Sequence, residues 1–129
     1  MKRSSEGRRP RSPSSVEVRG ALRMIWPHLT AAQRRMLKHH YEAPHKLATM
    51  TQLADTVDYA SYGGANLWYG NLGRRLSVAM GREPHQTRIA QLVQFINPGD
   101  VTNKDFVMLM RPEVARALRG WRWNRSETA

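Results

Sequence analysis

MTQLADTVDYASYGGANLWYGNLGRRLSVAMG, residues Met50 to Gly81, reads as a short helix, a tight turn and a longer helix. Thr51 has the hydroxyl of a helix N-cap, able to accept from an otherwise unpaired backbone N–H. Leu53, Ala54 and Val57 behind it form an apolar stripe of about two turns. Asp58 to Tyr62 then leads into Gly63-Gly64, where the backbone is free to turn. A second helical pattern runs from there to about Met80, stopped by Gly81 and Pro84. That spacing is a helix-turn-helix.

At 100° per residue the second helix places Ala65, Trp68, Tyr69, Leu72, Leu76 and Ala79 on one side, a stripe wide enough to bury. The opposite side carries Leu67, Gly70, Asn71, Arg74 and Ser77, with Asn66 and Gly73 at its flank. Glycine inside a helix costs roughly 1 kcal/mol relative to alanine, so Gly70 and Gly73 imply close approach of another backbone. Asparagine bonds adenine through two hydrogen bonds and arginine forks onto guanine. Asn66, Gly70, Asn71 and Arg74 are therefore the candidate base-reading residues. The competing reading is a solvated face whose glycines admit a neighbouring helix.

Charge points the same way. The chain of 129 residues has 21 Lys and Arg against 10 Asp and Glu, a net +11. It is concentrated at the ends, with net +4 over residues 1–15 and +3 over residues 111–129. A basic chain favours polyanions because neutralising phosphates releases condensed counterions; a need for solubility or attraction to an anionic membrane surface would also account for such charge. With no cysteine there is neither a disulfide framework nor a thiolate metal site, which fits a cytoplasmic protein. No apolar run approaches the roughly 20 residues that span a bilayer, and no apolar core follows the basic start as a secretory signal requires. A soluble chain with no membrane partner is expected, nucleoid-associated if bacterial.

Residues 1–15, MKRSSEGRRPRSPSS, lack large apolar side chains after Met1 and are expected to be a disordered basic arm. Arg8, Arg9 and Arg11 within it are candidate phosphate contacts, as an arm of this kind enters a minor groove or tracks a backbone. Val18, Leu22, Ile25 and Trp26 predict a packing helix that ends before Pro27. Thr30-Ala31-Ala32-Gln33 has the form of a capping box, opening a helix to about Glu42 with Met36, Leu37 and Tyr41 inward. Arg34, Arg35 and Lys38 then lie on or near its outer side and, with Lys46, complete the candidate phosphate contacts; a solvated basic face is the alternative.

His39, His40 and His45 form the one cluster resembling metal ligands, but adjacent residues on a helix diverge and His45 lies beyond Pro44, so no metal site is expected. Ile89, Leu92, Val93, Phe95 and Ile96, followed by Phe106 to Met110, predict two strands in a hairpin about Pro98-Gly99. Pro112-Glu113 opens a last helix that ends at Gly120, with Trp121 and Trp123 covering the core edge, and residues 121–129 form a basic tail.

Thr51-Gln52-Leu53-Ala54, the turn Asp58 to Gly63, the helix through Asn66 and Tyr69-Gly70-Asn71-Leu72-Gly73-Arg74, and the hairpin follow one another in a known order. Over about residues 20–120 the chain resembles the winged helix-turn-helix family. The same pattern is similar to small bacterial domains associated with HNH-type and modification-dependent restriction proteins. The resemblance implies an α+β fold, mainly α with a β-hairpin, in residues 16–120, and duplex DNA as partner. The presumed wing carries Asp100 and Asp105 beside Lys104, a departure from a phosphate-gripping wing.

An enzyme is disfavoured: there is no phosphate-cradling GxxxxGKS/T, no nucleophile with a base, no HNH constellation and no paired carboxylates in a catalytic setting. Asp55 and Asp58, three apart on a short helix or its end, read as capping or solvated residues. The leading expectation is a non-enzymatic, cofactor-free DNA-binding module that reads duplex with residues 64–80 and holds phosphates with its basic residues. The alternative is a protein-interaction adaptor or inhibitor using the same surface, and a nuclease-associated role is the residual one.

Overall fold

A computed structural model describes residues 13–57, 62–82, 88–96 and 107–123. Five α-helices occur there: α1 (Ser15–Ile25), α2 (Ala31–Glu42), α3 (Met50–Asp55), α4 (Tyr62–Ala79) and α5 (Pro112–Ala117). Three short strands, β1 (Leu47–Thr49), β2 (Val93–Ile96) and β3 (Val107–Met110), form an antiparallel sheet in the order β1-β3-β2. The fold is mainly helical with a small sheet, as expected. None of the described helices is long and apolar enough to cross a membrane.

The helices begin where side chains can satisfy their unpaired N–H groups. Ser14 caps α1 by accepting from the Glu17 amide at 3.1 Å. The capping box of α2 is complete, with Thr30 Oγ1 accepting from the Gln33 amide and Gln33 Oε1 accepting from the Thr30 amide, both at 3.0 Å. Pro13 is buried, Ser14 is a cap and Ser15 is helical, so the fold includes residues ahead of the boundary expected at residue 16. At the other end Gly81 takes φ +72, and the Arg82 amide donates back to the Ser77 carbonyl at 3.0 Å, closing α4 as a glycine-terminated helix does.

Three local expectations are corrected. The cap of α3 is Thr49, not Thr51: Thr49 and Gln52 form a second capping box, so the helix starts at Met50. Helix α4 starts at Tyr62 and absorbs Gly63 and Gly64 into its first turn instead of turning there. The segment expected as one long strand before the hairpin is a 3-10 turn at Arg88–Gln91 followed by the four residues of β2. The hairpin pairing itself is present, Val93 opposite Met110 through Ile96 opposite Val107. Its Pro98-Gly99 turn lies outside the described residues.

The third strand has no counterpart in the sequence reading. Leu47, Ala48 and Thr49 pair with Leu109, Met108 and Val107, which makes β3 the central strand. Its Met108 and Met110 are both 2% exposed while Val107 and Leu109 are half-buried, the alternation of a strand with one face on a core.

That core joins Val18 and Leu22 of α1, Met36 and Leu37 of α2, Leu53 of α3, Tyr69, Leu72 and Leu76 of α4, and Val114 and Leu118 around α5. Trp121 and Trp123 cover the core edge, as expected: Trp26 meets both edge to face, with centroids 5.3 and 5.9 Å apart. Arg19 of α1 donates to the Ala117 and Arg119 carbonyls and lies 5.2 Å over the Trp121 ring, tying the first helix to the last. An ion pair between Glu17 and Arg82 at 3.3 Å ties α1 to the end of α4.

A candidate nucleic-acid interface on the fourth helix

The apolar side of α4 is as the periodicity predicts: Ala65, Tyr69, Leu72 and Leu76 are fully buried, and Trp68 and Ala79 are half-buried. Its orientation is held by a polar bridge through the core. His40 of α2 lies between Tyr69 of α4, Nδ1 to the phenol oxygen at 2.8 Å, and β3, Nε2 to the Met108 carbonyl at 3.0 Å. A carbonyl can only accept, so Nε2 carries the hydrogen and Nδ1 accepts from the Tyr69 hydroxyl. Burial holds His40 below the usual histidine range, outweighing the carbonyls of Met108 and Lys46 that favour its charged form, and burial pushes the Tyr69 phenol up. Both shifts favour the neutral forms, in which these two bonds are satisfied. A second tie fixes the near end of α4: Gln33 Nε2 donates to the Trp68 carbonyl at 3.0 Å.

The opposite side of α4 is divided. Ser77, expected to face outward, and Gly73, expected at the flank of that face, are buried, and Ser77 Oγ donates to Gln91 Oε1 at 2.7 Å. The 3-10 turn at Arg88–Gln91 packs across this side of α4, which covers part of the face that a projection leaves to solvent. For Ser77 the neighbour is internal. Gly70 differs: a Cβ added there would meet nothing within 4 Å. Asn71 is half-exposed, and Arg74 and Arg75 are exposed, with no hydrogen bond or ion pair among the described residues. The side chain of Asn66 lies outside the described residues.

Asn71, Arg74 and Arg75 line a cleft of about 680 Å³ between α4, the end of α1 and the start of α2. Ile25, Gln33, Trp68 and Ala79 form its inner surface, while Met24, His28, Thr30 and Val78 stand at its rim. Arg75 and His28 were not among the expected site residues. Arg75 is the next residue round the helix from Arg74 and so was recoverable; His28 enters through the crossing of two helices remote in sequence.

The expected phosphate contacts are scattered and unequal. Arg34 is corrected from an outward residue: it donates to the Trp26 carbonyl at 2.7 Å and lies 5.2 Å over the Trp26 ring, where it serves an acceptor at the end of α1. Lys38 pairs with Glu42 at 3.1 Å, a surface contact one helical turn long. Lys46 has φ +61, follows His45 at φ +56, and sets its ammonium 4.5 Å over the Tyr41 ring. Arg35 is exposed on α2. Arg8, Arg9 and Arg11 lie outside the described residues. Among the described residues no three of His, Cys, Asp or Glu come together to hold a metal ion.

Comparison of the chain with protein-family models, with curated proteins and with solved structures gives no match.

Proposed function

We propose that the chain is a non-enzymatic duplex-DNA-binding module of the winged helix-turn-helix kind, with α4 as its reading helix. The order of elements supports the architecture: helices, a short helix and a long helix, then a β-hairpin anchored in a small sheet. One observation carries the function. On the uncovered side of α4, Gly70 leaves open space beside Asn71, Arg74 and Arg75, whose polar groups have no acidic partner among the described residues. An absent side chain lets a base edge approach, an amide and a guanidinium supply the hydrogen bonds, and a chain of net +11 supplies the long-range attraction.

A second reading, an adaptor for an acidic protein, draws on the apolar side chains near the same arginines: Leu67 is 57% and Val78 55% exposed. Binding titrations against duplex, RNA, single strand and an acidic protein, followed by selection of a preferred site, separate the two. Arg74→Ala is expected to cost roughly 1–3 kcal/mol on the preferred site and to flatten the difference between sites. Arg35→Ala should weaken all duplexes equally and lower the slope of log affinity on log salt by about 0.9. Gly70→Leu should stay folded, since leucine is the better helix former and the space is open, yet lose duplex binding. A folded Gly70→Leu protein with normal duplex affinity refutes α4 as the contact surface.

A further inference from the structure

We propose that the cleft between the end of α1 and α4 binds a small organic anion with a flat apolar body. Its volume of about 680 Å³ falls in the range of small-molecule sites, about 300–1,000 Å³. Its chemistry is two-sided. Arg74 and Arg75 present guanidiniums with no hydrogen bond or ion pair among the described residues, and the cleft lining contains no carboxylate. Met24, 64% exposed, and Val78, 55% exposed, offer apolar surface to the same cleft, with Trp68 behind them.

Each class of occupant meets this lining differently. A cation is repelled. A neutral apolar molecule would cover the guanidiniums and leave their N–H groups without partners. A bare inorganic anion would satisfy the arginines and leave the apolar surface wet. A carboxylate or phosphate on an aromatic body does both, because the anionic group accepts the guanidinium fork while the ring lies against Met24, Val78 and Trp68. Asn71 and Arg74 belong to this cleft as well as to the DNA-reading face, so occupant and duplex exclude each other; that consequence rests on the function proposed above.

The test is calorimetric titration of the full chain at low salt, without DNA, using 1-naphthoate and adenosine 5′-monophosphate as probes. At least one should bind saturably with Kd below about 1 mM, and which one does distinguishes a carboxylate from a phosphate ligand. Inorganic phosphate and 1-naphthalenemethanol should bind at least about tenfold more weakly. Arg75→Gln should weaken the probe about tenfold or more, the loss expected for a charged hydrogen bond. Val78→Glu, at an exposed position, should abolish binding, whereas Arg116→Gln, exposed and outside the cleft, should leave it unchanged and so exclude general attraction to a basic chain. Failure of both probes to saturate, or binding unaltered by Arg75→Gln and Val78→Glu, overturns the proposal. Titrating the duplex into a separate, probe-free sample separates the two readings: a chain that takes the probe but no duplex refutes DNA reading alone, and one that takes duplex but no probe refutes the cleft site alone.

Discussion

Removing one oxygen atom tests the bridge that holds α4 against the sheet. Tyr69→Phe keeps the ring in the core and deletes the hydroxyl that donates to His40 Nδ1 at 2.8 Å. Both residues are 0% exposed, so water cannot replace the lost donor. A buried acceptor left unpaired costs about 1–3 kcal/mol, and with the ring retained only a small void adds to it. In a domain of this size each kcal/mol shifts the thermal midpoint by about 4–8 °C.

The same bridge sets a pH dependence. Burial holds the folded-state pKa of His40 below the ordinary value of 6.5, so below about pH 6.5 the unfolded chain binds a proton that the folded chain refuses. The His40 contribution is therefore complete above about pH 6.5 and is lost as the pH falls, by at most about 1.4 kcal/mol per pH unit, levelling once the pH drops below the folded-state value. Urea unfolding followed by circular dichroism from pH 8 to pH 5 measures both effects. His40→Leu should be less stable at pH 8, because the Tyr69 hydroxyl then lacks an acceptor, and should lose much of the wild-type decline below pH 6.5. A Tyr69→Phe protein within about 0.5 kcal/mol of wild type at pH 8, or an acid decline unchanged in His40→Leu, would refute the buried neutral bridge.

Two further outcomes follow from the ends of the helices. Thr30→Ala should destabilise by about 1 kcal/mol, and Gln33→Ala by more, because Gln33 also donates to the Trp68 carbonyl from a position only 2% exposed; denaturant midpoints compare them. Deleting Met1 to Ser12 removes five basic residues and one acidic one, so it should leave the thermal midpoint nearly unchanged while lowering duplex affinity and its salt slope. Extending the deletion through Ser14 removes the cap on Glu17 and should lower the midpoint as well; an equal fall for both deletions would show that the first twelve residues support the fold.

Periodicity and caps were sufficient for much of what is local in this protein, although the cap of α3 and the start of α4 each lie two residues before the positions they suggested. The apolar stripe of α4, the Thr30 and Gln33 box, the glycine stop at Gly81 and the proline start of α5 each depend on residues within about one or two helical turns, so the chain displays them without its fold. Strand β1 is different. Leu47, Ala48 and Thr49 are too few to show an alternation, and they are extended because β3, about sixty residues later, supplies their hydrogen bonds. His40 beside His39 carries no local sign of burial; its partners are 29 and 68 residues away. Projection of α4 counted Ser77 among outward residues because a helical wheel knows the helix and not what crosses it, here the turn that brings Gln91 to 2.7 Å. Asn71 and Arg74 were legible as an amide and a cation on one face. Their shared cleft with Met24 and His28 was decided by the approach of α1 to α4, a contact made by burying apolar surface between segments that the sequence keeps about fifty residues apart.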